Sequence, residues 1–422
     1  MTAADNLRIS TLASNRAIHR AFSWLHLHEP QLRRWQLEAI AIPAPPFAEQ
    51  ARADYFLQQF TTLGLTNPHI DAEGNALAEL NPPQIRVPRV PLLGPGPEAA
   101  QLPDESPNVQ ISAHLDTVFP STTNCTPQED DQKILAPGAC DNAAGLTALL
   151  ALAAALTHAQ ITPDCTILFA ANVGEEGEGD LRGMRHLFNP ATSPYAKRIR
   201  AAIAFEGGGN ATVVDRALGS RRLRVTITGP GGHSWADSGR PNPILALAAA
   251  LLATSHLPLP RNPRTTLNCG TISGGTSVNS IPSSATADLD IRSTSALQLD
   301  RTELAVLKSL QSTVEAHADL HLHVSRIGNR PSGSLPESSP ISRSLRAVDR
   351  HLSIKTDSRI GSTDANLPLS LGIPAFAIGA GGSGGGMHTL SEWYNPTGRD
   401  LALRRVLLLL LDTCTLASTN SL

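Results

Sequence analysis

Short apolar runs alternate with a helical stretch in the first half of the chain, and this alternation constrains the fold most strongly. The segments VQISAHLD (109 to 116), TILFAANV (166 to 173) and RAAIAFEG (200 to 207) end in polar residues or glycine. The stretch AAGLTALLALAAAL between the first two has the length and apolar character of a buried helix. Strands that alternate with helices build a largely parallel sheet with helices on both faces. The predicted fold class is therefore α/β, with a mixed, mostly parallel sheet flanked by helices.

A second pattern begins near Arg221 and predicts an inserted domain. Strand and helix signals follow there in the order β-α-β-β-α-β and end with the alternating segment LHLHV. This order matches the ferredoxin-like split motif of α+β proteins. A core strand signal returns in PAFAIG (374 to 379), so the smaller unit interrupts the larger one. We expect a larger domain over 1–219 and 328–422, with the inserted domain over 220–327.

Two other segments carry clear local signals. Residues 31 to 64 favour a helix, because Phe56, Phe60 and Leu63 have helical spacing and Gly64 is placed as a stop. Between residues 81 and 107, eight prolines exclude a sheet interior or a regular helix. This second segment is predicted to be a surface excursion.

Composition limits the partners and the compartment. The 422 residues include 34 basic and 37 acidic side chains without a long block of one sign, which excludes an electrostatic footprint for nucleic acid or an anionic membrane. The five cysteines are odd in number and form no CxxC pair, which argues against a disulfide framework and a thiolate zinc site. The N-terminal segment lacks an apolar signal core. We expect a cytoplasmic protein that acts on a small molecule.

Two adjacent carboxylates, Glu175 and Glu176, follow one of the predicted strands inside a glycine-bracketed turn. A solvated acidic turn would explain such a pair if it stood alone. However, a loop at the carboxyl end of a strand is where open α/β sheets hold ligands. One glutamate could bind a metal ion while its neighbour transfers protons.

Other acid and imidazole groups also follow predicted strands or glycine-rich turns. Together they form a set of oxygen and nitrogen donors that suits zinc, with manganese or cobalt as alternatives. Five ligands exceed the three that one catalytic zinc usually takes, so a bridging Asp141 would allow two metal ions to share the set. A water between them could then ionise near neutral pH, and Glu175 would be free to act as the base. The candidate ligands are His114, Asp141, Glu176, Glu206 and His388.

The order of the motifs resembles one known group of enzymes. HLDTV, ACDNAAG, GEEG, FEGGG and GGMHT occur in this order between residues 114 and 388. They resemble the active-site series of the clan MH zinc exopeptidases and deacylases, which include peptidase T, carboxypeptidase G and aminoacylase. The segments GDLRGM, GHSWADSGRPNP and TDANLPLSLGIPAFAIGAGG are most similar to the peptidase T-like branch.

The resemblance implies a role for each candidate in the larger domain. Two Zn²⁺ ions per chain are implied, with Co²⁺ or Mn²⁺ as possible substitutes. Asp116 resembles the carboxylate that orients a metal-bound histidine, and Glu175 resembles the general base that passes a proton from the bridging water to the leaving amine. The implied ligands are His114, Asp141 and Glu206 for one ion, and Asp141, Glu176 and His388 for the other.

The inserted domain resembles the lid and dimerisation domain of the same family. Its motif GPGGHSW implies that His233 reaches into the active site of a partner subunit and stabilises the oxyanion, so a homodimer is expected. Asn279 and Arg292 resemble groups that hold the substrate. For Arg292 an alternative is a structural role as the cross-strand partner of an acid in the inserted domain, because Asp290 is its neighbour in the sequence. His321 and His323 are predicted to be exposed, because they alternate with apolar residues.

The expected activity is hydrolysis of the amide bond in short peptides, as an exopeptidase. Position 206 is Glu, as in carboxypeptidase-like and deacylase members, whereas aminopeptidase members tend to have Asp; an N-acyl amino acid deacylase is therefore the alternative. Gly381, Ser383 and Gly385 fit the GxSxG pattern of serine hydrolases, although a run of glycines produces this pattern by composition. A binding protein that has lost catalysis is the remaining rival.

Overall fold

The computed structural model describes residues 2–82, 106–130 and 132–422. Most of the proline-rich segment that was predicted to be a surface excursion lies outside these residues. The chain divides into two compact units. The first unit comprises Met1–Asp215, Leu335–Arg359 and Thr363–Leu422, and the second comprises Arg216–Ser334 and Ile360–Ser362.

The helices of the described residues are α1 (Ala3–Ala13), α2 (Arg16–Leu27), α3 (Glu29–Ile40), α4 (Gln50–Thr62), α5 (Ala143–His158), α6 (Arg182–Leu187), α7 (Pro243–Ser255), α8 (Ala296–Val314), α9 (Pro340–His351), α10 (Asn366–Ser370) and α11 (Arg399–Ser418). A short 3-10 turn covers Gly177–Gly179. None of the described helices is both long enough and apolar enough to cross a lipid bilayer.

The strands are β1 (Thr66–Ile70), β2 (Ala76–Leu80), β3 (Asn108–His114), β4 (Gln128–Glu129), β5 (Ile134–Leu135), β6 (Thr166–Asn172), β7 (Ile199–Phe205), β8 (Thr212–Ala217), β9 (Gly219–Thr228), β10 (Gly232–His233), β11 (Thr265–Gly274), β12 (Ser280–Ile281), β13 (Ser284–Ser293), β14 (His321–Arg330), β15 (Gly333–Ser334), β16 (Asp357–Gly361), β17 (Ala375–Ile378), β18 (Ser383–Gly385) and β19 (Trp393–Asn395).

The central sheet of the first unit runs in the order β1-β2-β6-β3-β7-β17-β8. Its middle pairs, β6 with β3, β3 with β7 and β7 with β17, are parallel, while β1, β2 and β8 pair antiparallel. Every residue of β3 and β6 is buried, as expected for strands covered on both faces. Helix α5 packs on β3, β6 and β7, and α11 packs on β3 and β7. The predicted α/β fold class is confirmed.

The second unit has its own four-stranded antiparallel sheet in the order β11-β13-β9-β14. Helices α7 and α8 pack against this sheet and bury the inward side chains of β9 and β13. Burial alternates along all ten residues of β13, which is the period expected for a sheet with one covered face. The β-α-β-β-α-β order is as predicted, and His321 and His323 are exposed as expected.

The prediction that residues 31 to 64 are helical is confirmed at both ends of this segment and wrong in its middle. Helix α3 ends at Ile40 and α4 begins at Gln50, with an irregular segment between them. Pro43, Pro45 and Pro46 lie in that segment, and proline lacks the N–H that a helix interior requires. The predicted stop is confirmed, because Gly64 follows α4 with a φ of 75° in the left-handed region.

Candidate metal centre and active site

Three neighbouring strands bring acid and imidazole groups to one edge of the central sheet. His114 is the last residue of β3, which lies between its parallel neighbours β6 and β7. Glu175 and Glu176 follow the end of β6, and Glu206 directly follows β7. Because the carboxyl ends of parallel strands meet at the same edge, residues that are distant in sequence become neighbours here.

Asp141 reaches this edge from the turn that precedes α5. The next residue, Asn142, caps the helix by accepting the N–H of Gly145 at 3.2 Å. The Asn142 side chain also accepts the N–H of Gly207 at 3.2 Å and donates to the carbonyl of Phe205 at 3.0 Å. One side chain therefore ties the Asp141 turn to the end of the strand that carries Glu206.

The ligand atoms of the predicted residues converge into overlapping groups. Asp141 Oδ1 lies 3.1 Å from His114 Nε2, and Asp141 Oδ2 lies 3.1 Å from His388 Nε2. Glu176 Oε1 is 3.0 Å from His388 Nε2, and Glu206 Oε1 is 3.8 Å from His114 Nε2. Within each group the ligand atoms lie within 4.8 Å of one another; the groups are His114–Asp141–Glu206, Asp141–Glu176–His388 and His114–Glu175–Glu176.

These separations fit the coordination of divalent metal ions. Two ligands at 2.0–2.1 Å from a tetrahedral zinc ion are about 3.3 Å apart, close to the distances that Asp141 makes with both imidazoles. The Oε2 atom of Glu206 is buried without a hydrogen-bond partner among the described residues, although a buried polar atom normally has one. The donors are carboxylate oxygens and imidazole nitrogens, a set that suits zinc, cobalt or manganese.

The orientation of His114 is determined by the backbone. Its Nδ1 lies 3.0 Å from the carbonyl oxygen of Asp116 and 3.6 Å from the Asp116 carboxylate. Since a carbonyl only accepts, Nδ1 carries a proton, and Nε2, which faces Asp141 and Glu206, is the nitrogen that becomes available to a metal ion when the ring is neutral. The histidine is completely buried, so this orientation is the one presented to a metal ion.

The carboxylate of Asp116 instead holds the turn that follows β6. It accepts the N–H of Glu175 at 2.9 Å and the N–H of Glu176 at 2.7 Å, one on each oxygen. Asp116 is fully buried, and Glu175 and Glu176 are only 4% and 7% exposed. The family resemblance implied that Asp116 orients His114, and nothing in the sequence predicted these two bonds.

Burial and neighbouring charged groups shift the pKa values of the side chains in this cluster. Hydrogen bonds to Asp141 and then Glu176 raise the pKa of His388 to about 10. Burial acts to lower the pKa of His114, but Asp116, Asp141 and Glu206 outweigh it and raise the pKa well above its usual value. Burial raises the pKa of Glu206 to about 7. In the metal-free protein the imidazoles therefore hold protons that bound metal ions would displace.

Glu392 was not among the residues predicted from the sequence. It is fully buried, and its carboxylate accepts the N–H groups of Gly138, Cys140 and Asp141. Burial raises the pKa of Glu392 to about 7, although these three bonds act to lower it. The only signal in the sequence was its position four residues after His388, which is equally typical of an exposed acid in a loop.

The remaining predicted residues lie in the second unit. His233 is in β10, which pairs with β12 next to Asn279, and the Asn279 carbonyl accepts the N–H of Ser234 at 3.0 Å. His233 Nδ1 accepts the N–H of Trp235 at 3.2 Å, so a neutral ring carries its proton on Nε2. The second unit thus brings His233 and Asn279 together.

Arg292 has a different environment within the second unit. Its Nε donates to Asp290 Oδ2 at 2.6 Å, and both residues lie on β13. The alternative to a substrate-binding role was a cross-strand pair with an acid, whereas this contact is an ion pair between two residues of the same strand. The arginine side chain is 38% exposed, so solvent screens the pair.

The GxSxG pattern does not form a nucleophile elbow. A nucleophile elbow places its serine on a sharp turn between a strand and a helix. Ser383 instead begins the short strand β18, which pairs antiparallel with β19. The serine hydrolase alternative therefore lacks its expected geometry.

Fold and site together define an α/β protein with a cluster of potential metal ligands at the carboxyl edge of its central sheet. The sequence profile of peptidase family M20/M25/M40 matches residues 111–411, and the chain belongs to this family. The match covers the strands and turns that carry all the candidate ligands.

Similar sequences include fungal proteins named as carboxypeptidases. The "probable carboxypeptidase" of Aspergillus clavatus is 29% identical over 204 residues, which cover 44% of this chain and 44% of that protein. A second one, from Aspergillus flavus, is 25% identical over 256 residues, covering 56% and 58% of the two chains. The matched stretches thus span about half the length of these relatives.

Similar solved structures cover nearly the whole chain. A tripeptidase from Staphylococcus aureus has a TM-score of 0.71 at 20% identity, covering 92% of this chain and 99% of that one. Aminopeptidase PepT from Bacillus cereus has a TM-score of 0.69 at 19% identity, covering 91% and 98%. A dinuclear metal binding peptidase from Bacillus subtilis has a TM-score of 0.65 at 13% identity, covering 92% and 98%. These similarities show a shared fold.

Proposed function

We propose that the protein is a dinuclear zinc hydrolase that cleaves the amide bond of short peptides as an exopeptidase. One observation carries this proposal: the two carboxylate oxygens of Asp141 each lie 3.1 Å from the Nε2 atom of a different histidine, His114 and His388. A carboxylate in this arrangement can bridge two metal ions. Membership of a peptidase family supports peptides as the substrates.

The donors divide into two metal positions that share Asp141. When bound, the two ions would supply Lewis acidity and ionise a water near neutral pH. Zn²⁺ is proposed as the resident ion, with Co²⁺ or Mn²⁺ as substitutes, because these ions accept the same donors. The first position would use His114, Asp141 and Glu206, and the second would use Asp141, Glu176 and His388.

Glu175 is proposed as the general base. It adjoins the proposed ligand Glu176, and its carboxylate lies within the same group of ligand atoms as His114. The carboxylate of Asp116 accepts the backbone N–H of Glu175, which fixes the position from which the Glu175 side chain projects. In this role Glu175 accepts a proton from the attacking water and delivers it to the leaving nitrogen.

Three residues of the second unit are proposed to act on the substrate. His233 is exposed, and its Nε2–H is available to donate to an oxyanion. Asn279 lies beside it and is proposed to hold the substrate. Arg292 would have to exchange its bond to Asp290 for a substrate carboxylate, which its fork of donors suits.

The pair Glu175→Gln and Glu176→Gln tests the division of roles. Both changes replace a buried carboxylate by an amide of the same shape. Glu175→Gln should keep wild-type zinc content while turnover falls about 10²–10⁴-fold, the usual contribution of a general base. Glu176→Gln should lose zinc from one position. Zinc analysis and peptide hydrolysis with and without a chelator are the measurements.

Each outcome of that experiment is informative. Unchanged turnover in Glu175→Gln would disprove its role as base. Hydrolysis by the wild-type protein that resists chelators but responds to serine reagents would favour the serine hydrolase alternative. Zinc binding without hydrolysis of any peptide or acylated amino acid would favour the non-catalytic binding protein.

The direction of cleavage requires a substrate screen. Glu206 resembles the carboxypeptidase and deacylase members, whereas two of the similar structures are a tripeptidase and an aminopeptidase. Di- and tripeptides blocked at one terminus or the other distinguish these cases. A requirement for a free amino end would indicate an aminopeptidase. Activity on N-acyl amino acids would instead support the deacylase alternative.

The second unit is also proposed to form a homodimer. Helix α7 and the edge strand β11 expose three large apolar side chains: Leu245 is 68%, Leu252 61% and Ile272 59% exposed. An unpaired strand edge beside apolar residues is a surface that a second copy can cover. Leu252→Asp should therefore shift sedimentation towards the monomer. A wild-type protein that is monomeric at full activity would disprove the proposed action of His233 in trans.

A cytoplasmic location remains part of this proposal. It is supported by the odd number of cysteines and by the lack of CxxC pairs in the sequence. All five cysteines are free thiols in the structure. Fractionation of cells that produce the protein tests this location.

A further inference from the structure

Glu392 makes an unusual set of contacts for a residue outside the proposed ligands. Its Oε2 accepts the N–H of Gly138 at 2.9 Å, and its Oε1 accepts those of Cys140 and Asp141, each at 2.8 Å. All three donors belong to one turn, and the carboxylate is fully buried. The side chain therefore holds the backbone of the turn from which Asp141 projects.

The main chain of Glu392 extends this connection in both directions. Its carbonyl accepts the N–H of Ala136 at 3.1 Å, at the start of the same turn. Its own N–H donates to the carbonyl of Thr389 at 3.2 Å, one residue after His388. Glu392 thus joins the segments that carry Asp141 and His388, two residues separated by 247 positions in the sequence.

The chemistry of the contact requires a carboxylate. The three N–H groups are divided between its two oxygens, so each oxygen has a separate function. A glutamine has the same shape but offers one oxygen and one NH₂ group. Either the N–H of Gly138 or those of Cys140 and Asp141 would then face a donor. The turn would have to move to regain acceptors.

We propose that Glu392 is a positioning residue that fixes Asp141 relative to His388 and so sets the metal affinity of the position that contains His388. The contact acts through the turn, because the hydrogen bond that Glu392 accepts from Asp141 comes from the backbone N–H. This inference rests on the proposed function, since it assumes that the two residues bind one metal ion.

The proposal is tested by calorimetric titration with Zn²⁺ of the whole protein after a chelator has removed its metal ions. The wild type should show two binding events, and the event that is lost in His388→Ala identifies the relevant position. In Glu392→Gln that event should weaken about 10–100-fold, the usual effect of removing a partner that orients a ligand. The visible absorption of the Co²⁺-loaded variant should change as well, because it reports ligand geometry.

Asp412→Asn provides a matched control. Asp412 is a carboxylate that is only 1% exposed, and it is bound by Arg8 and Ser344 in contacts that include none of the proposed ligands. This variant loses a buried charge, as Glu392→Gln does. It should be less stable than the wild type but should keep both zinc affinities and the Co²⁺ spectrum.

The outcomes separate this inference from the proposed function. If the wild type shows two binding events and Glu392→Gln binds Zn²⁺ with unchanged affinity, the role of Glu392 is overturned and the proposed function is not. Equal weakening in Glu392→Gln and Asp412→Asn would overturn it too, because the effect would then be general instability. A wild type that binds fewer than two Zn²⁺ ions would overturn both proposals. If Glu392→Gln does not fold, Glu392→Asp decides: weaker binding supports the role, and unchanged binding overturns it.

Discussion

Replacement of Asp116 by Asn should destabilise the turn that carries Glu175 and Glu176. Asp116 uses a different oxygen for each N–H, at 2.9 Å and 2.7 Å. Asparagine retains one acceptor oxygen and turns an NH₂ group towards the other N–H. One of the two backbone groups then loses its partner in a site that excludes water, because Asp116 is fully buried.

The size of the effect follows from these contacts. A hydrogen bond to a charged group contributes about 1.5–3 kcal/mol, and a buried donor left without an acceptor costs about 1–3 kcal/mol. Removing the negative charge also relieves repulsion from the nearby carboxylates, which offsets part of the loss. We expect the free energy of unfolding of the zinc-free protein to fall by about 2 kcal/mol at neutral pH.

The effect should depend on pH with a definite sign. Burial acts to raise the pKa of Asp116, but His114 and the two backbone N–H groups outweigh it and hold the pKa below its ordinary value of 3.8. A carboxylate with a lowered folded-state pKa stabilises the protein above its unfolded pKa, about 3.9, and this contribution is lost as the pH falls through the folded value. The difference between wild type and Asp116→Asn should therefore be constant near neutrality and shrink in acid.

Tryptophan fluorescence during urea denaturation is a suitable assay. Trp24 and Trp35 are buried in the first unit, at 8% and 7% exposure, whereas Trp235 in the second unit is already 87% exposed. The signal change on unfolding therefore reports mainly the unit that contains the site. Turnover of a peptide substrate, measured in parallel with zinc present, should fall about 10²-fold if the turn moves by about 1 Å.

Asp71→Asn is the control for this prediction. One oxygen of Asp71 accepts the N–H groups of Glu73, Gly74 and Asn75, so an amide retains all three backbone bonds. The other oxygen accepts the side-chain NH₂ of Asn75 at 2.7 Å, and this contact is lost, but the Asn75 amide keeps its bond to the carbonyl of Gly183. The loss of stability should therefore be smaller than in Asp116→Asn. Equal losses of stability in the two variants, or wild-type stability in Asp116→Asn, would show that the two separate acceptor oxygens of Asp116 do not stabilise the turn.

Two further predictions concern the same site. Gly384→Ala should lower both stability and zinc affinity, because the added Cβ would lie 2.3 Å from the Sγ of Cys140, the residue before Asp141. Gly270→Ala is the control, because its Cβ would make ordinary contacts only. Thermal denaturation and zinc titration of both variants are the measurements. Zinc binding near neutral pH should release protons, since the raised pKa of His388, about 10, keeps that imidazole protonated in the zinc-free protein. Apparent zinc affinity should therefore rise with pH until this pKa is reached; calorimetric heats that are identical in buffers of different ionisation enthalpy would contradict this.

The architecture could be predicted from the sequence where burial dictates the pattern. The apolar runs of β3, β6 and β7 are strands because both sheet faces are covered, and the period-2 pattern of β13 reflects a sheet with one covered face. The helix predicted over residues 31 to 64 is interrupted, because its evidence lay at one end. The helical spacing came from Phe56, Phe60 and Leu63, whereas the prolines before α4 interrupt the backbone hydrogen bonds.

The site was predictable only in part. Strand ends identified His114, Glu176 and Glu206 as neighbours, because parallel strands share an edge. His388 lies on a loop between two short strands, and only the resemblance of its motif linked it to the others. Glu392 was missed, because its hydrogen bonds come from backbone N–H groups of a turn more than 250 residues away, and a sequence does not show which backbone groups need an acceptor.

The acceptor for Nδ1 of His114 belongs to the main chain, and this affects how the site can diverge. Every amino acid at position 116 supplies the same carbonyl, so substitutions there preserve the histidine tautomer that suits the first proposed metal position. The turn with Glu175 lacks this protection, because it depends on the side chain of Asp116. In a lineage under relaxed selection, substitution at this position would weaken the backbone support of the proposed base Glu175 and of the proposed ligand Glu176 together. The orientation of His114 would be the part of the site that such a substitution leaves unchanged.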